Sequence, residues 1–189
     1  MGDVVVTEFI SADGVFEDPG GSEQFEHGGW SFKFNRGPEG DKFKLDELIA
    51  ADVQLFGRVT YEGFAAAWPT RTDDVGFADR INSMPKYVVS STLETADWQN
   101  STILRDDWPD EVARLRREVD GDILVAGSGR LVRGLLEHDL VDKLHLMTFP
   151  VVLGTGRQLF EGLSKPVTLE LSETRLAGEA LITIYKPKR

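Results

Sequence analysis

The run Gly127-Ser128-Gly129-Arg130 carries the chemistry most plainly expressed in this chain. An apolar stretch, Ile123 to Ala126, precedes it, and Leu131, Val132, Leu135 and Leu136 follow at helical spacing. Strand, glycine turn and helix together offer bare backbone N–H groups and a helix N-terminus to an anion, usually a phosphate. Glycines let a pyrophosphate approach the backbone, and Arg130 adds a fixed positive charge in the first helical turn. An ordinary glycine-rich strand-to-helix turn reads the same way, so the segment needs company. Two others supply it. Gly57-Arg58-Val59-Thr60 combines a helix start with a guanidinium and a hydroxyl, and Ser90-Ser91-Thr92 offers hydroxyls at a further strand end. Three such loops with two arginines suit a ligand bearing several phosphates.

Other candidates are sparser. Asp41 precedes Leu45 by four residues, so it either faces a cleft, where it could bind a heterocycle or assist protonation, or caps a helix after Gly40. His27, His138 and His145 lack metal-ligand spacing and read as surface or loop positions; no metal site is expected. Ser128 has no evident histidine partner, and Ala126 stands where a serine-hydrolase elbow needs glycine. Trp30, Trp68, Trp98 and Trp108 read as packing residues, with Trp30 the best placed to meet a planar ligand. The glycine loop is not the dinucleotide fingerprint of a first βαβ unit, because Val132 occupies the place of the third glycine.

The elements that must position these residues follow from periodicity. Strands are expected at residues 4–10, 53–56, 86–90, 102–104, 123–126 and 144–152, with helices over residues 41–51, from Gly57 onward, over 78–84, over 108–119 and after Gly129. Pro109, at a helix start followed by Asp110 and Glu111, suits the positive end of the dipole. Residues 167–172 and 180–185 alternate around Ala177-Gly178-Glu179 as an antiparallel hairpin. The alternation implies one α/β domain over residues 1–189: a mostly parallel sheet, helices on both faces and an antiparallel edge. Residues 16–40, rich in Gly, Pro and Glu with interspersed aromatics, form a long loop of the kind that covers a cleft.

Composition narrows the function. The chain has 189 residues, no cysteine and a net charge of −11. The acidity disfavours nucleic acid and anionic membranes, which rely on clustered Lys and Arg. No apolar run approaches the roughly 20 residues that cross a bilayer, and no basic-then-apolar leader opens the chain, so a cytoplasmic protein is expected.

The ordered set strand–Asp13-Gly14, Gly57-Arg58-x-Thr60-Tyr61-Glu62, Val89-Ser90-Ser91 and Gly127-Ser128-Gly129-Arg130-Leu131 resembles the dihydrofolate reductase-like superfamily. It looks most like stand-alone relatives of the reductase domain of the bifunctional riboflavin biosynthesis deaminase–reductase. The late run from Leu140 to Leu146, followed by Pro150-Val-Val-Leu-Gly154-Thr-Gly156, is similar to that group too. The resemblance implies a three-layer α/β/α sandwich and an NADPH-dependent, often homodimeric reductase. Its hydride would go to a pyrimidine- or pterin-type heterocycle, as in 5-amino-6-(5-phosphoribosylamino)uracil reductase. Gly57, Arg58 and Thr60 would hold cofactor phosphates, with Arg58 reading the 2′-phosphate. Ser90 and Ser91 would lie by the adenosine half, and Gly127, Ser128, Gly129, Arg130 and Leu131 would embrace the pyrophosphate. Ala12 and Asp13 would begin the loop over the nicotinamide. Ala126 stands where riboflavin-pathway reductases carry an acidic residue near the substrate. A dihydrofolate reductase using Asp41 and a non-catalytic NADP(H)-binding protein are the alternatives.

Overall fold

The computed structural model describes residues 1–188. Eight strands make one sheet: β1 (Val4–Ser11), β2 (Ala51–Gly57), β3 (Lys86–Val89), β4 (Ser101–Leu104), β5 (Asp122–Val125), β6 (Lys143–Phe149), β7 (Leu169–Ala177) and β8 (Ala180–Pro187). Their order is β4-β3-β2-β5-β1-β6-β8-β7. The six strands from β4 to β6 in that order run parallel, while β8 and β7 are antiparallel. Five helices accompany them: α1 (Gly37–Ala50), α2 (Arg58–Ala67), α3 (Phe77–Ser83), α4 (Trp108–Glu118) and α5 (Gly129–Glu137).

β1 shows how the layers are built. Val4 and Val6 point into one core with Val112 and Leu115 of α4 and Leu131, Val132, Leu135 and Leu136 of α5. Val5, on the opposite face, joins Leu48 of α1, Tyr61 of α2 and Ile81 of α3. Alternating side chains therefore serve two helical layers, which is why β1 reads as a nearly continuous apolar run. A third cluster, Trp30, Phe43, Met147, Phe149 and Ile182, closes the end under the hairpin.

Two local readings need correction. α1 begins at Gly37, with Pro38 in its first turn and Arg36 at the N-cap. Asp41 is therefore inside the helix and caps nothing. The long segment expected over 16–40 ends at Arg36, because α1 takes Gly37 to Gly40. Asp18 is buried and accepts N–H bonds from Ser22 (2.6 Å) and Phe25 (3.3 Å). The Trp30 indole donates to the Glu17 carbonyl (2.8 Å), and a short 3₁₀ helix spans Trp30–Lys33. The middle of the segment is thus paired from within, while Phe16 donates to the Arg157 carbonyl and Asn35 exchanges bonds with Glu179 at its two ends.

Lys86, at the start of β3, is fully buried. Its ammonium donates to the carbonyls of Asn82 (2.7 Å), Met84 (2.8 Å) and Gln99 (3.1 Å) and lies 4.3 Å from the Trp98 ring centre. Burial pulls its pKa down to about 8, and the three carbonyls hold the charged form against that pull. Lys86→Met would leave those carbonyls without a donor. We expect a loss of about 3 kcal/mol, read as the midpoint shift in urea unfolding.

Candidate functional site

The candidate site lies at the carboxyl ends of β1, β2 and β5. α2 leaves β2 toward one face of the sheet, while α5 leaves β5 toward the other. Two adjacent parallel strands whose helices diverge in this way open a crevice, the usual ligand position in such sheets. The crevice is stitched at its base by the Gly57 N–H, which donates to the Gly127 carbonyl at 3.0 Å. Both helix N-termini, with their unpaired N–H groups and positive dipole ends, therefore sit side by side.

The glycines there have separate physical reasons. A Cβ on Gly57 would fall 2.2 Å from Ser128 Oγ, so Gly57 admits the serine of the opposite loop. Gly127 has φ +99°, a conformation that favours glycine. At Gly129 the missing Cβ admits the ring of Phe16, whose Cζ would lie 2.3 Å from it. That glycine thus accommodates a packing contact from the long segment, which the sequence had suggested only for a pyrophosphate.

The charged and polar side chains divide into available and occupied. Arg130, in the first turn of α5, is exposed. Arg58 pairs with Glu62 at 2.8 Å near the surface, the weak kind of ion pair that an incoming phosphate can displace. Thr60 Oγ1 lies beside Gly127. Ser91 is exposed, whereas Ser90 is buried and its Oγ accepts the N–H groups of Thr92 (3.2 Å) and Leu93 (2.9 Å). Leu131 buries its side chain in the core, leaving only its backbone to the crevice. Ala126 packs beside the other core.

Several expectations change. Asp13 accepts from Ser11 Oγ (2.6 Å), Leu153 N (3.2 Å) and Gly154 N (2.8 Å), and these bonds, the Ser11 hydroxyl first, hold its carboxyl below the usual range. It ties the end of β1 to the loop after β6. Ala12 donates its N–H to Val151 within the same tie. Asp41 is exposed and paired with Arg36 at 2.6 Å. Trp30 is fully buried, edge-on to Phe149 at 5.7 Å, so it presents no free ring face to a ligand. His145 is not a surface residue: its Nδ1 donates to Glu47 Oε1 at 2.6 Å within the fold.

That last contact belongs to a cluster absent from the sequence reading. Glu47, the carboxylate α1 does turn inward, also accepts from Lys44 (2.6 Å) and from Thr7 Oγ1 (3.0 Å). Lys44 and Arg36 flank the Phe9 ring, at 5.3 Å and 5.6 Å from its centre. Among the described residues no group of three acidic, His or Cys side chains could hold a metal ion.

Glu8, on the other face of β1, was also missed. It is 8% exposed, and its Oε1 is buried without a hydrogen-bond partner. Burial is the main cause that pushes its pKa to about 8; the Lys44 charge opposes that rise and the Glu23 charge adds to it. A Cβ on Gly127 would lie 3.3 Å from Glu8 Oε1 and 2.8 Å from Thr60 Oγ1. β1, the first turn of α2 and the glycine loop therefore pack so closely here that only glycine fits at position 127. The signal was present in the sequence, as a carboxylate interrupting the apolar run from Val4 to Ile10.

The fold and the family agree with this geometry. The chain is 27% identical over 176 residues to the Bacillus subtilis (strain 168) protein YwjB, covering 93% of this chain and 92% of that one. A candidate riboflavin biosynthesis protein of Shewanella sp. PV-4 has a similar structure, with TM-score 0.78, 20% identity and all of both chains covered. Dihydrofolate reductase from Enterococcus faecalis, solved with NADP(H), superposes with TM-score 0.61 at 13% identity, covering 100% of this chain and 98% of that one. The fold is thus the dihydrofolate reductase-like α/β sandwich with its C-terminal antiparallel strands. The RibD C-terminal domain model matches residues 3–183, and the chain belongs to that family.

Proposed function

We propose that this protein is an NADP(H)-dependent oxidoreductase that reduces a pyrimidine- or pterin-type heterocycle. The observation that carries the reading is the pair of abutting helix N-termini, α2 and α5, joined through Gly57 and Gly127 with Arg58 and Arg130 in their first turns. Backbone N–H groups and two guanidiniums in that arrangement suit a pyrophosphate and a further phosphate. A bound nicotinamide would supply the hydride; the chain's own task is to hold the ring against the acceptor and keep water out.

Within this reading Arg58 takes the 2′-phosphate, giving up its surface pair with Glu62. Arg130 and the N–H groups of Gly129 to Leu131 take the pyrophosphate, and Ser91 lies on the adenosine side. On the acceptor side, the half-buried Phe9 ring between Arg36 and Lys44 provides a flat surface for a heterocycle. The dihydrofolate reductase alternative loses its support, since Asp41 is exposed and Glu47 is already committed to Lys44, Thr7 and His145.

Calorimetric titration with NADPH and NADH tests the cofactor assignment. NADPH is expected to bind in the micromolar range and more tightly than NADH. Arg58→Ala should erase most of that preference, about tenfold or more, because it removes a charge-assisted contact to phosphate. If folded protein binds neither nucleotide, the assignment is wrong.

A further inference from the structure

We propose that Arg105 is a positioning residue for the cofactor. Its guanidinium fixes the turn after β3 so that the Ser91 hydroxyl meets the adenosine 2′-phosphate, and it thereby shares with Arg58 the choice of NADPH over NADH. The inference rests on the cofactor reading above and concerns a residue that reading does not use.

Strand register supplies the position. Gly57 of β2 lies opposite Val89 of β3, and Val89 lies opposite Leu104 of β4. The three strands are parallel, so the residues that follow them, Arg58, Ser90 and Arg105, form one row along the carboxyl edge of the sheet. The Ser90 N–H donates to the Leu104 carbonyl at 3.1 Å and carries that row one bond past the strands. The turn that begins at Ser90 therefore stands between two arginines. Arg58 opens α2 on one side, and Arg105 leaves the edge strand on the other.

The turn is held from both directions. Ser90 Oγ accepts the N–H groups of Thr92 (3.2 Å) and Leu93 (2.9 Å), which ties it from inside. Arg105 ties its carbonyls: Nη1 donates to Ser90 O at 2.8 Å and Nη2 to Leu93 O at 2.7 Å. One planar fork thus spans the two ends of the turn and sets the distance between them. Ser91 stands between those anchors, exposed, and its hydroxyl bonds to no other described residue.

The clamp matters because of what a loose turn would give a ligand. A hydroxyl on a mobile loop contributes little, since ordering the loop on binding cancels the gain. A hydroxyl already held in place donates to a phosphate oxygen as a charge-assisted bond without that loss. The 2′-phosphate is the group that Arg58 brings to this row in the reading above. A nucleotide without it gains nothing from the clamp, and that difference separates positioning from a general structural role.

Calorimetry with NADPH and NADH would be run on wild type, Arg105→Met, Ser91→Ala and the double variant, each checked for folding by circular dichroism. Arg105→Met should weaken NADPH about tenfold, the scale of one charge-assisted hydrogen bond, and leave NADH within about twofold. Ser91→Ala should do the same. The double variant should lose about tenfold in all and not about a hundredfold, because both changes remove one interaction. Additive losses would overturn the proposal by showing that Arg105 meets the phosphate itself. Equal losses of NADPH and NADH would overturn it in favour of a structural role, and unchanged NADPH affinity in Arg105→Met would overturn it outright. Should Arg105→Met not fold, the surface change Ser91→Ala still decides: NADPH affinity equal to wild type there sinks the proposal. If wild type binds neither nucleotide, the cofactor reading itself fails, and this inference with it.

Discussion

Glu47→Leu is expected to lower stability by about 3 kcal/mol at pH 7, a fall of roughly 6–12 °C in Tm for a chain of this size. Glu47 is 7% exposed and accepts bonds from Lys44, Thr7 and His145. Burial alone would raise its pKa, but the Lys44 charge and the bonds from His145 and Lys44 outweigh that and hold it below the usual carboxylate value. Leucine would fill the volume but take the carboxylate from both Lys44, left with the Thr7 hydroxyl, and His145. The sign with pH follows from the lowered pKa. The carboxylate's contribution is complete above about pH 5 and is lost as acid protonates the folded form, so the gap between wild type and variant should close in acid. Denaturant melts at pH 7 and pH 3.5 would show it. Lys44→Met added to Glu47→Leu should recover part of the loss, because the penalty comes from the stranded charge and not from the missing pair.

Much of the architecture was legible because it is encoded locally. Apolar runs of strand length ended by glycine or serine gave β1, β2, β3 and β5, and the 3.6-residue spacing after Gly129 gave α5. The start of α1 was misplaced by four residues because Asp41 looked like a cap, whereas Pro38 already sits in the first turn. The phosphate loops were legible for the same reason: a helix N-terminus announces itself within a few residues.

What escaped was whatever depends on distant parts of the chain. Trp30 looked available in a glycine-rich loop, but Phe149 and Ile182, more than a hundred positions later, enclose it. His145 looked peripheral, and its partner Glu47 lies 98 positions earlier. Glu8 could be noticed in sequence but not interpreted. Its burial requires β1 to be central, and its contact with the glycine loop requires β5 to stop at Val125. Neither property belongs to residues near Glu8.

Those same properties give Glu8→Gln an effect opposite in sign to that of Glu47→Leu. The unfolded chain loses the Glu8 proton near the ordinary value of 4.5, while the folded chain keeps it to about pH 8. Between those values the unfolded state binds fewer protons, so wild-type stability falls as pH rises, by about 1.4 kcal/mol per pH unit. Glutamine carries no proton to lose. The variant should match wild type at pH 4.5 and exceed it by about 4 kcal/mol near pH 8, a rise of roughly 10 °C in Tm. Thermal melts across pH 4.5–8.5 would trace the divergence; parallel curves would mean that Glu8 ionises in the folded chain as an ordinary carboxylate does. A buried acid that lowers stability over the neutral range, without packing or pairing to offset it, is the pattern of a group kept for function. The two carboxylates lie on opposite faces of β1, Glu47 through its bond to Thr7 and Glu8 on the strand itself. One holds the helix to the sheet; the other lowers the stability of the fold across the neutral range.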